Sequence, residues 1–219
     1  MRLTTILIAD DHDLVRESIS RMLEEVYGYD VVGQASSGEE AIKLAKKLQP
    51  DIVIMDVKMP GIGGMEATKR ISRESVGTKV IALTGVANEL FASQLMQAGA
   101  SAYVTKGAGF EEIVTAIKAV CNGEKYLSAS IAQQIVLRRF NDPDKGGSPF
   151  EKLSERELQT AILISGGSNV QSIAEIFSIS PKTVNSYRYR IFSKLKLKSD
   201  VDIALLAVKH NLLGDSQEE

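Results

Sequence analysis

The chain has one cysteine, Cys121, no tryptophan and five prolines among its 219 residues. A single thiol cannot close an intrachain disulfide, which excludes the disulfide-stapled secreted scaffolds. No apolar run is long enough to span a membrane, and no charged start followed by an apolar core marks a leader. A reducing cytoplasm is therefore the expected home. Only two histidines occur, His12 and His210, and neither has a partner at zinc-ligand spacing. His12 is expected merely to face solvent, and Cys121 to be a small packing residue rather than a redox sensor. What is present is ordinary: 44% hydrophobic and 25% charged residues, a composition that buries a core without staples. At this length two domains are the better expectation.

A net charge of -2 conceals a split. Residues 150–213 carry nine Lys/Arg against six Asp/Glu, whereas 214–219 add three acids. Residues 180–198 hold six bases (Lys182, Arg188, Arg190, Lys194, Lys196, Lys198) and no acid, the local footprint of a polyanion partner.

Five short β-branched runs punctuate the first half: Thr5–Ala9, Asp30–Ala35, Asp51–Met55, Lys79–Leu83 and Ser101–Val104. They are almost continuously apolar, as strands covered on both faces are. Helical periodicities lie between them, such as Leu14, Ile19, Met22, Leu23 and Val26, and a fifth helix is expected near Phe110 to Cys121. Alternating strand and helix predict a five-stranded, doubly wound parallel α/β sheet over residues 1–122. Residues 123–149 read as a linker, with a short helical stretch at Ser128–Phe140 before the turn formers Asn141 to Pro149. Four helices are expected beyond it, at about 154–165, 170–177, 181–195 and 200–210, giving an all-α second domain over 150–213 and an acidic tail at 214–219.

On that strand map the unusual polar residues converge. Asp10 and Asp11 follow the first strand, Asp56 the third, Thr84 the fourth, and Thr105-Lys106 the fifth. Ligands of open parallel sheets bind outside the carboxyl ends of the strands. Three carboxylates at one edge repel one another and need a cation at neutral pH. An oxygen-rich, incompletely filled site suits Mg²⁺. Lys106 would place a point charge on phosphoryl oxygens, and Asp56 is the expected nucleophile, forming an acyl phosphate. Aspartyl-phosphate phosphatases share such a nucleophile, but they need a second acid two residues later, where this chain has Lys58.

Asp10-Asp11, Val53 to Gly61, Ala82-Leu83-Thr84 and Tyr103-Val104-Thr105-Lys106 together resemble the receiver domains of two-component response regulators, over residues 3–122. The resemblance implies a flavodoxin-like fold and phosphorylation of Asp56 by a sensor histidine kinase or phosphorelay. It implies that Asp10 and Asp11 hold Mg²⁺, with the Lys58 backbone carbonyl completing the protein ligands. It further implies that Thr84 swings to the phosphoryl oxygen and Tyr103 turns inward behind it. Gly85 departs from the commoner alanine after the switch threonine.

In the second half, Ser154 ahead of Glu157 reads as a capping box. Ser178-Ile179-Ser180 breaks two helices as a helix-turn-helix does, with Ser180 as cap and Pro181 at the first helical position. Val184, Tyr187, Ile191 and Leu195 recur at helical spacing and should face the core. The other face carries Lys182, Asn185, Ser186, Tyr189 and Ser193, flanked by Arg188 and Arg190. Amides and hydroxyls can read base edges while the basic flanks hold phosphate. The segment resembles the LuxR/FixJ/NarL class, which implies base contacts by Asn185, Ser186 and Tyr189 and phosphate contacts by Lys182, Thr183 and Arg190. Ser180 to Arg190, with Gly61-Ile62-Gly63-Gly64 and Gln171-Ser172-Ile173, narrows the resemblance to the GacA/UvrY/LetA branch. That branch implies a hybrid kinase of the GacS/BarA/LetS kind and small-RNA genes as targets; promoter DNA and RNA polymerase are the further expected partners, and a homodimer is expected when phosphorylated, because one short helix reads too few base pairs to select a promoter. Val201, Ala204, Leu205 and Val208 form an apolar stripe on the last helix that either closes the core or supplies the dimer surface.

Overall fold

The computed structural model describes residues 3–85, 88–141, 148–210 and 212. The chain divides into two compact units, Met1–Ala87 with Leu95–Gln134, and Asn88–Gln94 with Ile135–Glu219.

In the first unit the strands are β1 (Thr5–Ala9), β2 (Asp30–Ala35), β3 (Ile52–Asp56), β4 (Lys79–Thr84), β5 (Ala102–Thr105) and β6 (Tyr126–Leu127). They pair in the order β2-β1-β3-β4-β5-β6, every pair parallel. The described residues thus hold six strands where the sequence predicts five. The sixth has two residues, too short to show a period, and its position is set by pairing with β5 rather than by its own composition. The remaining strands and the fifth helix fall within a residue of expectation.

Side chains alternate across the sheet, so each strand feeds two cores. Ile6 and Ile8 pack with Ile19 and Leu23 of α1 (Asp13–Glu25) and Ile113 and Ile117 of a helix at Phe110–Cys121. Leu7 and Ala9 pack on the other face with Ala41 and Ala45 of α2 (Gly38–Leu48) and Ala67 and Ile71 of α3 (Gly63–Glu74). With α4 at Glu89–Gln97, the Phe110–Cys121 helix is α5, and α6 (Ala129–Asn141) follows β6. Strand order reverses at β1 and β3, so the crevice between their carboxyl ends is the switch point where such a sheet takes a ligand.

The second unit carries α7 (Glu155–Ser165), α8 (Val170–Phe177), α9 (Pro181–Leu195) and α10 (Asp200–Lys209), all close to their predicted bounds. Leu158, Ile173, Phe177, Val184, Ile191, Ile203 and Ala207 form its buried core. Of the predicted core face of α9, Val184 and Ile191 are buried, whereas Tyr187 and Leu195 are only half-buried. The linker residues 142–147 and the predicted acidic tail at 214–219 lie outside the described residues.

One buried acid ties this unit together. Glu157 accepts the Ser154 backbone N–H at 2.7 Å, completing the predicted capping box, and the same oxygen accepts Lys194 Nζ of α9 at 2.6 Å. Burial alone would push its carboxyl up, but Lys194 and the Ser154 amide outweigh burial and hold it below the usual value. A carboxyl depressed in the folded state stabilises above its unfolded pKa of about 4.3 and loses that contribution as pH falls toward the folded value. Glu157→Gln keeps the cap oxygen and removes the ion pair. It should cost about 1–2 kcal/mol at pH 7, with a gap to wild type that narrows below pH ~4. Denaturant unfolding at both pH values checks this, and a gap independent of pH would show that the ion pair contributes nothing.

Candidate functional site

The carboxyl ends of β1, β3 and β5 deliver one cluster. Asp56 is the last residue of β3 and Asp10 the first after β1, and both are buried. Lys106, just past β5, places Nζ 2.8 Å from Asp10 Oδ2 and 2.8 Å from Asp56 Oδ2. The Lys58 backbone N–H holds the other oxygen, Asp56 Oδ1, at 3.0 Å. Burial raises the Asp56 carboxyl above its usual pKa, and the Asp10 charge adds to this, against the opposing pull of Lys106. For Lys106 burial works against the charge, yet the hydrogen bonds to Asp10 and Asp56 prevail and raise its pKa. The arrangement is thus an acid pair in low dielectric kept together by one ammonium.

The loop after Asp56 is built to pass close. A side-chain carbon on Gly64 would stand 2.0 Å from the Asp56 carbonyl oxygen, so only glycine lets the start of α3 sit on this backbone. Its N–H donates to the Val57 carbonyl at 3.1 Å. Thr84 ends β4 in register with Thr105 and is buried. Tyr103 of β5 is fully enclosed, 0% exposed.

The structure adds to the cluster a residue that the sequence pattern assigns only to solvent. His12 is exposed, as expected, but its Nδ1 lies 3.1 Å from Asp10 Oδ1 and 3.0 Å from Asp11 Oδ1. Asp10, Asp11, His12 and Asp56 can bring one ligand atom each within 4.8 Å of one another. The signal was adjacency: a ring two residues past Asp10 can fold back over the carboxylate that its own backbone N–H bonds at 2.8 Å.

In the second unit, Ser178 takes a left-handed conformation that ends α8. Ser180 Oγ accepts the Thr183 N–H at 3.1 Å, with Pro181 opening α9. Lys182, Ser186, Tyr189 and Arg190 are exposed along α9, and Thr183 and Asn185 are half-buried beside them. Thr183 Oγ1 is 2.9 Å from Ser180 Oγ, and the Ser186 hydroxyl donates to the Lys182 carbonyl at 3.1 Å.

Residues 6–118 match the family described as response regulator receiver domain, and residues 151–207 match that described as bacterial regulatory proteins, luxR family. The chain belongs to the LuxR-family two-component response regulators. It is 53% identical over 208 residues to response regulator GacA of Pseudomonas aeruginosa, covering 95% of this chain and 97% of that relative. It is 48% identical over 207 residues to response regulator UvrY of Escherichia coli K12, covering 94% of each. A solved structure of two RcsB dimers bound to two parallel DNAs is similar at 25% identity and a TM-score of 0.59, covering 94% of this chain and 98% of that one. Both halves of this response regulator are therefore accounted for by the family, receiver first and DNA-binding domain second.

The basic face of that second domain differs from a count along the sequence. Arg188 does not stand as a phosphate-binding flank: its Nε and Nη2 meet the two Asp200 oxygens at 3.0 and 2.6 Å, and its Nη1 donates to Asn185 Oδ1 at 2.6 Å. Lys194 is similarly engaged by Glu157. Folding brings acids of α7 and α10 against α9, and Arg188 is held between Asp200 and the Asn185 side-chain oxygen.

Among the described residues, no helix is long and apolar enough to cross a membrane.

Proposed function

We infer that this response regulator is a transcription activator switched by phosphorylation of Asp56. The observation that carries the reading is the pair of Lys106 contacts, 2.8 Å to each of Asp10 and Asp56, at the sheet's switch point. A carboxylate so placed can attack the phosphorus of a phosphohistidine. The new P–O bond forms on Asp56, the P–N bond breaks, and the imidazole nitrogen keeps the electron pair and takes up a proton. The donor set of oxygens fits Mg²⁺, with Asp10, Asp11, Asp56 and the Lys58 carbonyl as protein ligands. When bound, that ion supplies charge neutralisation at the phosphoryl group. Lys106 exchanges its Asp56 contact for a phosphoryl oxygen, Thr84 approaches another, and Tyr103 fills the space behind.

The protein is a phosphoacceptor and not an enzyme acting on a separate substrate: Lys58 occupies the place where a phosphatase would carry its second acid. The domain reading is a receiver at 1–122, a linker at 123–149, a DNA-binding domain at 150–213 and a tail at 214–219. Asn185, Ser186 and Tyr189 read base edges in the major groove, and Lys182, Thr183 and Arg190 bind phosphate. The resemblance to the GacA/UvrY/LetA branch, to which the 53% and 48% identity to GacA and UvrY lends weight, is the ground for taking a hybrid sensor kinase as phosphodonor and small regulatory RNA genes as targets, with RNA polymerase as the recipient of the signal and the cytoplasm as the site of action.

Acetyl phosphate with Mg²⁺ should label the wild type and leave Asp56→Asn unlabelled, as read by intact-protein mass. Undiminished labelling of the variant would remove Asp56 from the role.

A further inference from the structure

Past Leu127 the short edge strand β6 gives out, while β5 still has a residue to satisfy. The backbone N–H of Ser128 donates to the Tyr103 carbonyl at 2.9 Å, the last rung between backbones. One step on, the Thr105 N–H finds no backbone carbonyl of β6 and donates instead to Ser128 Oγ at 3.0 Å. Ser128 is 1% exposed, so water does not compete for that amide. Its hydroxyl thus acts as one further rung of the sheet, applied at the residue immediately before Lys106.

The placement is unusual for a serine at this position. Ser128 stands where the N-cap of α6 belongs, since its carbonyl accepts from the Ile131 and Ala132 N–H groups at 3.0 Å each. A serine N-cap ordinarily turns its hydroxyl onto its own helix. Here the oxygen is given to β5, and the cap is supplied from another element: Glu112 of α5 accepts the Ala129 N–H at 3.3 Å and the Tyr126 hydroxyl at 3.1 Å. Beyond Thr105 the chain leaves the sheet through a 3-10 turn, Lys106–Ala108, to Gly109 at φ +84°. Two glycines in that stretch, Gly107 and Gly109, leave little to stiffen the lysine's backbone from its far side. The Lys106 stem is therefore aimed from the Thr105 side.

We propose that Ser128 is a positioning residue for phosphoryl transfer. By holding the Thr105 amide it fixes the backbone from which Lys106 spans Asp10 and Asp56, and it ties the start of the linker helix α6 to the same rung. The proposal rests on the phosphoacceptor reading of Asp56. A misplacement of about 1 Å in such a group can slow a reaction by up to about 100-fold, and a loosened rung should fall below that limit.

The test combines a readout that needs no phosphate with one that does. Amide hydrogen exchange at Thr105, followed by NMR in the metal-free full-length protein, should rise about tenfold or more in Ser128→Ala, because local opening then costs one hydrogen bond less. Labelling by acetyl phosphate with Mg²⁺ should slow by about tenfold in the same variant. Ser128→Cys conserves the buried volume with a far weaker acceptor, so it should shift both readouts in the same direction even if the alanine variant does not fold. Ser128→Thr keeps the hydroxyl and should restore both. Glu112→Gln, which disturbs the cap of α6 without touching Thr105, should leave both within about twofold of wild type. Faster exchange with an unchanged labelling rate would make Ser128 a structural edge residue only and overturn the proposal, as would unchanged Thr105 exchange. Labelling of Asp56→Asn equal to wild type would instead remove the phosphoacceptor reading, while the exchange data would still report on the hydrogen bond.

Discussion

Lys106→Ala should lower the melting temperature of the receiver unit by roughly 10 °C in a chelating buffer. The reason is the imbalance it leaves. Asp10 and Asp56 have side chains only 2% exposed, and Lys106 is the cation that contacts both of them in the structure. Breaking a buried ion pair by removing one partner costs about 3–5 kcal/mol, and for a unit of this size about 4 °C accompanies each kcal/mol. The carboxyl of Asp56, already raised by burial, can limit the loss by taking a proton, which places the result at the lower end. Saturating Mg²⁺ should recover much of the deficit, since a ligand at about 100 times its Kd adds about 2.7 kcal/mol. It should also bind the variant more tightly than wild type, because the ammonium no longer occupies the same oxygens. Acetyl phosphate would still label Asp56, though at least about tenfold more slowly, and the phosphorylation-dependent gain in DNA affinity should vanish, since no lysine remains at the end of β5 to answer the phosphoryl charge. A melting temperature in chelator equal to wild type would mean that the two ion pairs do not exist in solution.

The acidic site was legible from sequence because its residues sit at strand ends, and strand ends could be read from apolar runs. Asp10, Asp56, Thr84 and Lys106 each follow or terminate such a run, so a parallel topology was enough to bring them together. What escaped was whatever depended on pairing between distant segments. β6 is two residues long and has no period of its own, so neither it nor the Ser128 rung could be read locally. His12 turns back onto Asp10 through a local turn that hydrophobic patterning does not register. The charge of α9 misled in a different way. Residues 180–198 contain no acid, yet Asp200 and Glu157 neutralise Arg188 and Lys194 across helix contacts. The exposed cations at the start of α9 and on its outer face are Lys182 and Arg190. Charge counted along a sequence marks a nucleic-acid helix, but the set that remains for phosphate is decided by packing.

That reduced set bears on how the protein finds a promoter. On the proposed reading, one α9 presents a few base-reading side chains, each good for about 1–3 kcal/mol of discrimination, too little to select one site in a genome. Two copies would supply the rest, and on the proposed reading α10 would offer the surface. Val201, Leu205 and Val208 are 66%, 65% and 73% exposed, whereas Ile203 and Ala207 on the opposite side are fully buried. Three of the four stripe residues read from sequence, Val201, Leu205 and Val208, therefore stand outside the core while Ala204 is half-buried, and among the described residues they leave an exposed apolar face that a second copy would cover. The related RcsB is seen as dimers on DNA. Leu205→Arg should leave the fold and Asp56 labelling intact, because the side chain lies outside the core, and should hold the phosphorylated protein monomeric in sedimentation. Affinity for an operator with two half-sites should then fall by about 100-fold or more, the avidity lost when binding is no longer bivalent. Binding to a single half-site should be unchanged. Within each half-site, Ser186→Ala should alter sequence preference at a constant salt slope, whereas Lys182→Ala should weaken all sequences alike and reduce that slope by about one. Full affinity and specificity from a 1:1 complex of the phosphorylated wild type would assign the exposed stripe of α10 to some other partner.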